Sequence, residues 1–313
     1  MRAVGQTPLV CVDGIYAKLE CTNPCGSIKD RIVCYILDKS EERGLLKPGQ
    51  RIVEATSGNT GIAYAYYAKQ RGYPITIVMP EDMTEERKRI LREFGAELVL
   101  AGPSDFAGAA KIRDGLAREH GWFNPDQFSN PLNTECHYNT TGREILDQLR
   151  EPIDAFVAGV GTGGTLMGAG KRIRDAWPDA RLVAVEPAES AVMTGGPVGQ
   201  HGIGGIGDGF VPAIASDGAG KKSAEIDGVE VVSTEEARQA AASIAERHGF
   251  CVGVSSGANY VAATRLRAKG ARTVVTVFAD GYAKYVSLGL THCDARHCPY
   301  EHKPVIGEPG TAI

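Results

Sequence analysis

Short apolar runs alternate along the chain with longer segments in which apolar residues recur every three or four positions. Seven runs rich in β-branched residues are predicted as strands, at 51–54, 75–79, 97–100, 155–158, 181–185, 229–232 and 273–278. Eight segments with helical periodicity lie before and between them, at 28–43, 60–71, 85–94, 107–120, 134–149, 165–176, 235–248 and 258–269. This alternation predicts an α/β architecture with mostly parallel sheets, whose ligand-binding loops lie at the carboxyl ends of the strands.

Composition and charge narrow the class of protein. The chain has 313 residues and a net charge of −4, which suits one large domain or two closely packed ones. The charge argues against nucleic-acid binding, and no apolar run is long enough for a signal peptide or a membrane span. Eight scattered cysteines indicate reduced thiols. We therefore expect a soluble, cytoplasmic protein without nucleic-acid or membrane partners.

The loop at 56–61 reads Thr-Ser-Gly-Asn-Thr-Gly and connects a predicted strand to a predicted apolar helix. Its hydroxyls, its amide side chain and the N–H groups of the helix start would converge on one point, which suits a carboxylate. A simple helix-capping turn is the alternative.

The loop at 159–165 reads Gly-Val-Gly-Thr-Gly-Gly-Thr and also lies between a strand and a helix. Glycines let the backbone approach an anion, so the exposed amides and two threonine hydroxyls predict a phosphate site. Gly159, Gly161 and Gly164 also match G-x-G-x-x-G, and Glu186 stands where a ribose-binding acid is expected. A nicotinamide-dependent dehydrogenase is therefore a distant alternative.

Lys29 stands in the first turn of a predicted helix, where the helix dipole disfavours a cation. A solvated surface lysine is one interpretation. A buried setting together with the dipole would lower the pKa of the amine, which is what Schiff-base chemistry requires.

These features together resemble the cysteine synthases (O-acetylserine sulfhydrylases) and cystathionine β-synthases, which are fold-type II pyridoxal-phosphate (PLP) enzymes. The resemblance rests on motifs in the family's order, at 5–10, 23–31, 57–61, 79–81, 94–96, 127–128, 130–131, 141–142, 161–165, 185–187, 205–207 and 255–258. It extends from Gly5 to about Ser287. Each motif alone is weak, and the ordered set is specific.

The resemblance implies two three-layer α/β/α domains with PLP between them, and usually a homodimer. Residues 23–130 would form the smaller domain, and 1–22 plus 131–313 the larger one. Lys29 would bind PLP and remove the substrate's α-proton, and Asn59 would bind the ring hydroxyl. The phosphate would be held by Gly161, Thr162, Gly163, Gly164 and Thr165, and the substrate carboxylate by Thr56, Ser57, Thr60 and Gln127.

The resemblance also implies the reaction, which is β-replacement on an O-activated L-serine through an aminoacrylate intermediate, most simply with sulfide as acceptor. Alternatives are homocysteine or an amine as acceptor, which gives cystathionine or a diaminopropionate derivative, or β-elimination of cysteine. A catalytically silent relative that retains the fold is a further alternative, and the presence of Lys29 and Asn59 argues against it.

The chain departs from the family at several positions. Asp208 replaces a small residue at the mouth of the site, where a carboxylate would repel a phosphorylated donor or an anionic acceptor, or would merely form a turn. Gly281 replaces the serine that contacts the pyridine nitrogen. We expect a neutral ring and only a few-fold effect of Asp280→Asn, because a buried carboxylate needs partners that the local sequence does not obviously supply. Gly281→Ser should be tolerated.

The chain also departs from the family at two positions where proline is common and in the segment after residue 290. Ala55 and Arg143 stand where the family often has proline, which indicates small differences in the backbone. Two His-Cys pairs, His292-Cys293 and His297-Cys298, have a spacing that could ligate zinc. We expect a reduced tail and no metal.

Overall fold

The computed structural model describes residues 3–56, 58–83, 85–103, 105–282 and 285, without the side chain of Glu86. Nine strands form two sheets within this part of the chain. The strands are β1 (Leu9–Val12), β2 (Ile15–Leu19), β3 (Ile52–Ala55), β4 (Ile75–Pro80), β5 (Glu97–Ala101), β6 (Ala155–Gly159), β7 (Arg181–Pro187), β8 (Gly228–Val232) and β9 (Val274–Phe278).

The larger sheet has the strand order β1-β2-β9-β6-β7-β8, and the smaller sheet has the order β3-β4-β5. Only β1 and β2 pair antiparallel among the described strands, and all other neighbours are parallel. Carboxyl ends of parallel strands meet at one edge of a sheet, so the loops after β6 and β9 share an edge of the larger sheet, and the loop after β3 lies at the corresponding edge of the smaller one.

Nine α-helices connect the strands in the described residues. They are α1 (Lys29–Glu42), α2 (Asn59–Arg71), α3 (Glu85–Glu93), α4 (Phe106–His120), α5 (Pro131–His137), α6 (Arg143–Gln148), α7 (Gly164–Ala176), α8 (Thr234–His248) and α9 (Val254–Ala268). A π-helical turn, Tyr138–Gly142, joins α5 to α6. No helix in this part of the chain is both long and apolar enough to cross a membrane.

Both sheets are covered by helices on two faces. In the larger sheet, Phe156 of β6 packs with Leu166 of α7, while Val157 on the opposite face packs with Val254 of α9. The smaller sheet has one core with α1, α2 and α3 and a second core against α4. Because each sheet is buried on both faces, its strands are nearly continuous apolar runs. The predicted α/β architecture is confirmed.

Two parts of the secondary structure differ from the sequence prediction. The hairpin of β1 and β2 was not predicted, although Asp13-Gly14 connects the two strands with positive φ at both residues (49° and 77°). This is the conformation of a two-residue hairpin turn, and an Asp-Gly pair between apolar runs is its usual sequence signal. The segment predicted as one helix at 134–149 is divided by the π-helical turn into α5 and α6.

Candidate active site

The start of α1 and the loop before α2 meet at the carboxyl end of β9. The backbone N–H of Ile28 donates to the carbonyl of Ala279 (2.8 Å), directly beyond β9. The side-chain amide of Asn59, the first residue of α2, donates to Asp280 Oδ2 (2.7 Å). Lys29 and Asn59 begin two different helices, and these contacts attach both residues to the same end of the larger sheet.

Lys29 is the first residue of α1 and is only partly exposed. Burial lowers the pKa of its amine, and the negative charges of Asp208 and Glu54 act in the opposite direction. A lysine with a lowered pKa has a larger neutral fraction, and only the neutral amine is a nucleophile or a base.

Asp280 is almost fully buried, and its Oδ2 accepts hydrogen bonds from Asn59 and from the hydroxyl of Tyr285, both at 2.7 Å. The sequence-based argument that this carboxylate lacks partners is therefore wrong, because both donors come from outside its immediate neighbours. Its Oδ1 has no partner among the described residues. A Cβ at Gly281 would lie 3.2 Å from Cys21 Cβ, so a serine there fits only if Cys21 moves slightly.

The residues predicted to bind a carboxylate lie around the start of α2. The hydroxyl of Thr60, in the first turn of this helix, donates to Gln127 Oε1 (2.8 Å), and both side chains are buried. Thr56 precedes the turn, and its hydroxyl accepts from the N–H of Gly58 at 3.4 Å. Ser57 lies outside the described residues. The structure thus brings Gln127 to the loop although 67 positions separate it from Thr60.

The predicted phosphate loop follows β6 and ends at the start of α7. The backbone N–H groups of Gly161, Thr162 and Gly163 find no acceptor among the described residues. Gly163 has a φ of +85°, and a Cβ there would lie 2.9 Å from Ala215 Cβ, so a side chain is excluded. Unpaired N–H groups at a helix N-terminus suit an anion. The residues present therefore fit a phosphate group.

The glycine-rich segment at 195–209 packs against this phosphate loop. The N–H of Gly207 donates to the carbonyl of Val160 (3.0 Å). The next residue, Asp208, has exposed surface, yet surrounding protein raises the pKa of its carboxyl through burial, and Lys29 and His201 oppose that shift. A Cβ at Gly161 would lie 3.8 Å from Asp208 Oδ2, so this carboxylate stands beside the phosphate loop. Asp208 and Lys29 are close enough for their charges to influence each other.

Glu186 does not have the geometry of a ribose-binding acid. It is buried, and its oxygens accept hydrogen bonds from the N–H of Met193 (2.7 Å), the N–H of Thr194 (3.1 Å) and the hydroxyl of Thr194 (2.7 Å). A carboxylate already used by its own chain is not available for a ribose hydroxyl, so the structure weakens the dehydrogenase alternative.

Two buried residues that the sequence analysis missed lie behind the phosphate loop, on α5. Asn133 Nδ2 donates to Thr162 Oγ1 (2.9 Å), and His137 Nε2 lies 3.2 Å from Thr165 Oγ1. Their spacing of four residues on a helix was a usable signal, because positions i and i+4 share a face. Within the described residues no cluster of potential ligands could hold a metal ion. The tail with His292, Cys293, His297 and Cys298 lies outside them.

Comparisons with known proteins agree with this arrangement. The chain matches the family described as "Pyridoxal-phosphate dependent enzyme" over residues 1–280. It is 43% identical over 306 residues to cysteine synthase of Staphylococcus aureus, covering 94% of this chain and 96% of the relative.

Solved structures are also similar. A hydrogen sulfide-producing enzyme of Fusobacterium nucleatum has a TM-score of 0.86 and 40% identity, covering 92% of this chain and 90% of the other. The O-acetylserine dependent cystathionine β-synthase of Helicobacter pylori has a TM-score of 0.86 and 35% identity, covering 93% and 97%. The resemblance stated from the motifs is confirmed, and so is its cofactor. The chain belongs to the pyridoxal-phosphate dependent enzymes of the cysteine synthase and cystathionine β-synthase type.

Proposed function

We propose that the chain catalyses β-replacement on an O-activated L-serine, with O-acetylserine as donor and sulfide as acceptor, which is the reaction of a cysteine synthase. The observation that carries the proposal is the placement of Lys29. Its amine has a lowered pKa, and the hydrogen bond from Ile28 to Ala279 attaches it beside the Asn59–Asp280 contact. The cysteine synthase and cystathionine β-synthase relatives support the donor and the reaction class.

PLP, when bound, supplies an electron sink for the charge that remains at Cα after proton removal. Lys29 would link the cofactor covalently, and Asn59 would bind its ring hydroxyl. The phosphate would be held by the N–H groups and hydroxyls of Gly161, Thr162, Gly163, Gly164 and Thr165. The unpaired N–H groups of this loop support the assignment.

Lys29 would also hold and move the substrate's α-proton. Burial favours the neutral amine, which accepts a proton. After it has done so, the negative charges of Asp208 and Glu54 favour the ammonium form. The surroundings of Lys29 therefore support both steps, which are acceptance of the proton by the neutral amine and retention of the proton as the ammonium form.

The substrate carboxylate would bind at the start of α2, to Thr56, Ser57, Thr60 and Gln127. Thr60 donates its hydroxyl hydrogen to Gln127 Oε1, which fixes the direction of the Gln127 amide. The Nε2 group of Gln127 then remains as a donor for a carboxylate, and the helix N-terminus adds N–H groups of matching polarity.

A second candidate function keeps the donor and replaces sulfide by homocysteine or an amine. Elimination of sulfide from cysteine, in which cysteine is itself the substrate, is a separate alternative. Asp208 is the observation that favours an amino-acid acceptor over sulfide. A carboxylate near Lys29 repels hydrosulfide and attracts the ammonium group of an amino-acid acceptor.

Absorbance of the purified holoenzyme tests the donor, and product analysis tests the acceptor. O-acetylserine, O-phosphoserine, serine and cysteine are added separately while the cofactor spectrum is recorded, and sulfide or homocysteine then follows. We expect O-acetylserine to change the spectrum and sulfide to yield cysteine. Cystathionine as the preferred product would favour the second candidate.

Lys29→Ala tests the site itself. It should lose at least about 100-fold in turnover, because the covalent link and the base disappear together. Lys39→Ala on the same helix is the matched control, since Lys39 pairs with Glu42 (2.7 Å) and its ammonium lies 5.9 Å from the centre of the Tyr35 ring. Borohydride reduction of the wild type should attach the cofactor to Lys29. Attachment to another lysine would refute the assignment.

The division into domains, the homodimer and the cytoplasmic location are further proposals. All strands of the smaller sheet fall within 23–130, and all strands of the larger sheet fall outside it. This distribution supports the proposed boundaries. Light scattering of the purified protein tests the homodimer, and fractionation of expressing cells tests the location.

A further inference from the structure

Helix α5 packs closely against α7, which follows the phosphate loop. A Cβ at Gly164 would overlap the Asn133 amide, and a Cβ at Gly168 would lie 2.9 Å from His137 Cβ. Gly164 and Gly168 are one turn apart on α7, and Asn133 and His137 are one turn apart on α5. The glycines therefore let two buried polar side chains reach the rear of the phosphate loop.

Asn133 defines the hydrogen-bond direction at Thr162. Its Nδ2 lies 2.8 Å from the carbonyl oxygen of Gln127 and 2.9 Å from Thr162 Oγ1. A carbonyl oxygen only accepts, so the atom that contacts both is the amide nitrogen and Thr162 Oγ1 is an acceptor. The hydroxyl hydrogen of Thr162 remains available for a group in the loop.

His137 lies between two threonine hydroxyls. Its Nδ1 is 2.9 Å from Thr141 Oγ1, and its Nε2 is 3.2 Å from Thr165 Oγ1. Thr141 belongs to the π-helical turn that follows α5, and such turns occur frequently at functional sites. Burial and the charges of Arg31 and Lys29 hold the pKa of His137 well below its usual range, so the ring is neutral and carries one N–H.

We propose that His137 is a positioning residue for the cofactor phosphate, acting in its Nε2–H tautomer to orient the hydroxyl of Thr165. This inference rests on the proposed placement of the phosphate in the loop at 161–165. The oxygens of a dianionic phosphate only accept, so Thr165 must donate its hydrogen to the phosphate. Its Oγ1 is then an acceptor for His137 Nε2–H, and Nδ1 accepts the hydroxyl hydrogen of Thr141. His137 repeats for Thr165 what Asn133 does for Thr162.

Two substitutions of His137 separate the roles of its nitrogens. Gln places an amide nitrogen near the position of Nε2 and can still donate to Thr165, whereas Asn reaches only the position of Nδ1. We expect the apparent Kd of PLP to rise about tenfold in His137→Asn and to stay within about threefold in His137→Gln. Cys136→Ala is the matched control, because Cys136 is buried on the same helix and its thiol contacts the hydroxyl of Thr140.

A double-mutant cycle tests whether His137 acts through Thr165. In a Thr165→Val background, His137→Asn should weaken PLP binding by no more than about twofold, because the hydroxyl that it orients is gone. Additive effects, or equal losses in the Asn and Gln variants, would overturn the proposal.

The ring nitrogens of the wild-type holoenzyme provide a readout that requires no variant. In ¹⁵N-histidine-labelled protein, we expect the proton of His137 on Nε2, and a proton on Nδ1 would refute the proposed role of His137. If borohydride places no cofactor on Lys29 of the wild type, the proposed function fails, and the role of His137 fails with it. Cofactor on Lys29 combined with additive effects of the variants refutes the role of His137 alone.

Discussion

Replacing Asp280 by asparagine removes a negative charge from an almost fully buried side chain and preserves its shape. Oδ2 of Asp280 accepts from Asn59 and Tyr285, both at 2.7 Å. Hydrogen bonds to a charged group contribute about 1.5–3 kcal/mol each, against about 0.5–1.5 kcal/mol between neutral groups. Two weakened bonds should therefore lower the free energy of unfolding by about 2–3 kcal/mol.

The same change should affect the cofactor through Asn59. The carboxylate fixes which way the Asn59 amide points, because an oxygen there accepts only from Nδ2. Without the charge we expect a shifted cofactor spectrum and a loss of turnover of about tenfold or more, corresponding to about 1.4 kcal/mol or more in the barrier.

Urea unfolding measures the first effect, and absorbance and steady-state kinetics measure the second. Asp147→Asn is the matched control, since it removes the same charge from an exposed side chain whose pair with Arg143 contributes at most about 1 kcal/mol. If Asp280→Asn matches this control in stability, spectrum and turnover, Asp280 does not anchor Asn59. A normal spectrum with lowered stability would restrict its role to folding.

Three further variants test other parts of the site. Gln127→Glu should raise the KM for O-acetylserine at least about tenfold with an unchanged cofactor spectrum, because a second carboxylate repels the substrate's own; an unchanged KM would remove Gln127 from the carboxylate site. Asp208→Asn should improve the relative kcat/KM for O-phosphoserine over O-acetylserine several-fold, and an unchanged ratio would mean that Asp208 only forms a turn. Burial raises the pKa of Glu54 to about 7, so the stability that it contributes is present at low pH and is lost as the pH rises through that value. Glu54→Gln should therefore gain unfolding free energy relative to the wild type between about pH 5 and about pH 8, and a difference independent of pH would contradict the shift.

The sequence predicted those parts of the fold that depend on local pattern. Strands buried on both faces are continuous apolar runs, and helices between them have their own period, so seven of the nine described strands were located. The β1–β2 hairpin was missed although Asp13-Gly14 is a local signal for its turn, and from sequence alone Lys18 in β2 has the character of a surface residue. That lysine is buried by its pairing with Glu144, which lies 126 positions away.

The candidate site was proposed from sequence where a motif suggests its own chemistry, and its contacts were missed where the partners come from distant segments. Lys29, Asn59 and the loop at 159–165 could be recognised from sequence. The contact between Asp280 and Asn59 could not, because 221 positions separate the two residues. His137 was overlooked although its spacing of four residues from Asn133 was a usable signal, because its contact with Thr165 joins positions 28 residues apart.

Gly168 lies where α7 contacts α5. Its lack of a side chain therefore affects how closely the side chains of α5 approach the threonines of the phosphate loop. A methyl group at this position would lie 2.9 Å from His137 Cβ and would also press on the carbonyl of Thr134. The two helices would have to separate, and the side chains of α5 would withdraw from the threonines in front of them. If the loop at 161–165 holds the phosphate as proposed, the spacing of these helices would influence the affinity for PLP. A change in that spacing would alter how tightly PLP binds while the residues of the phosphate loop stay the same.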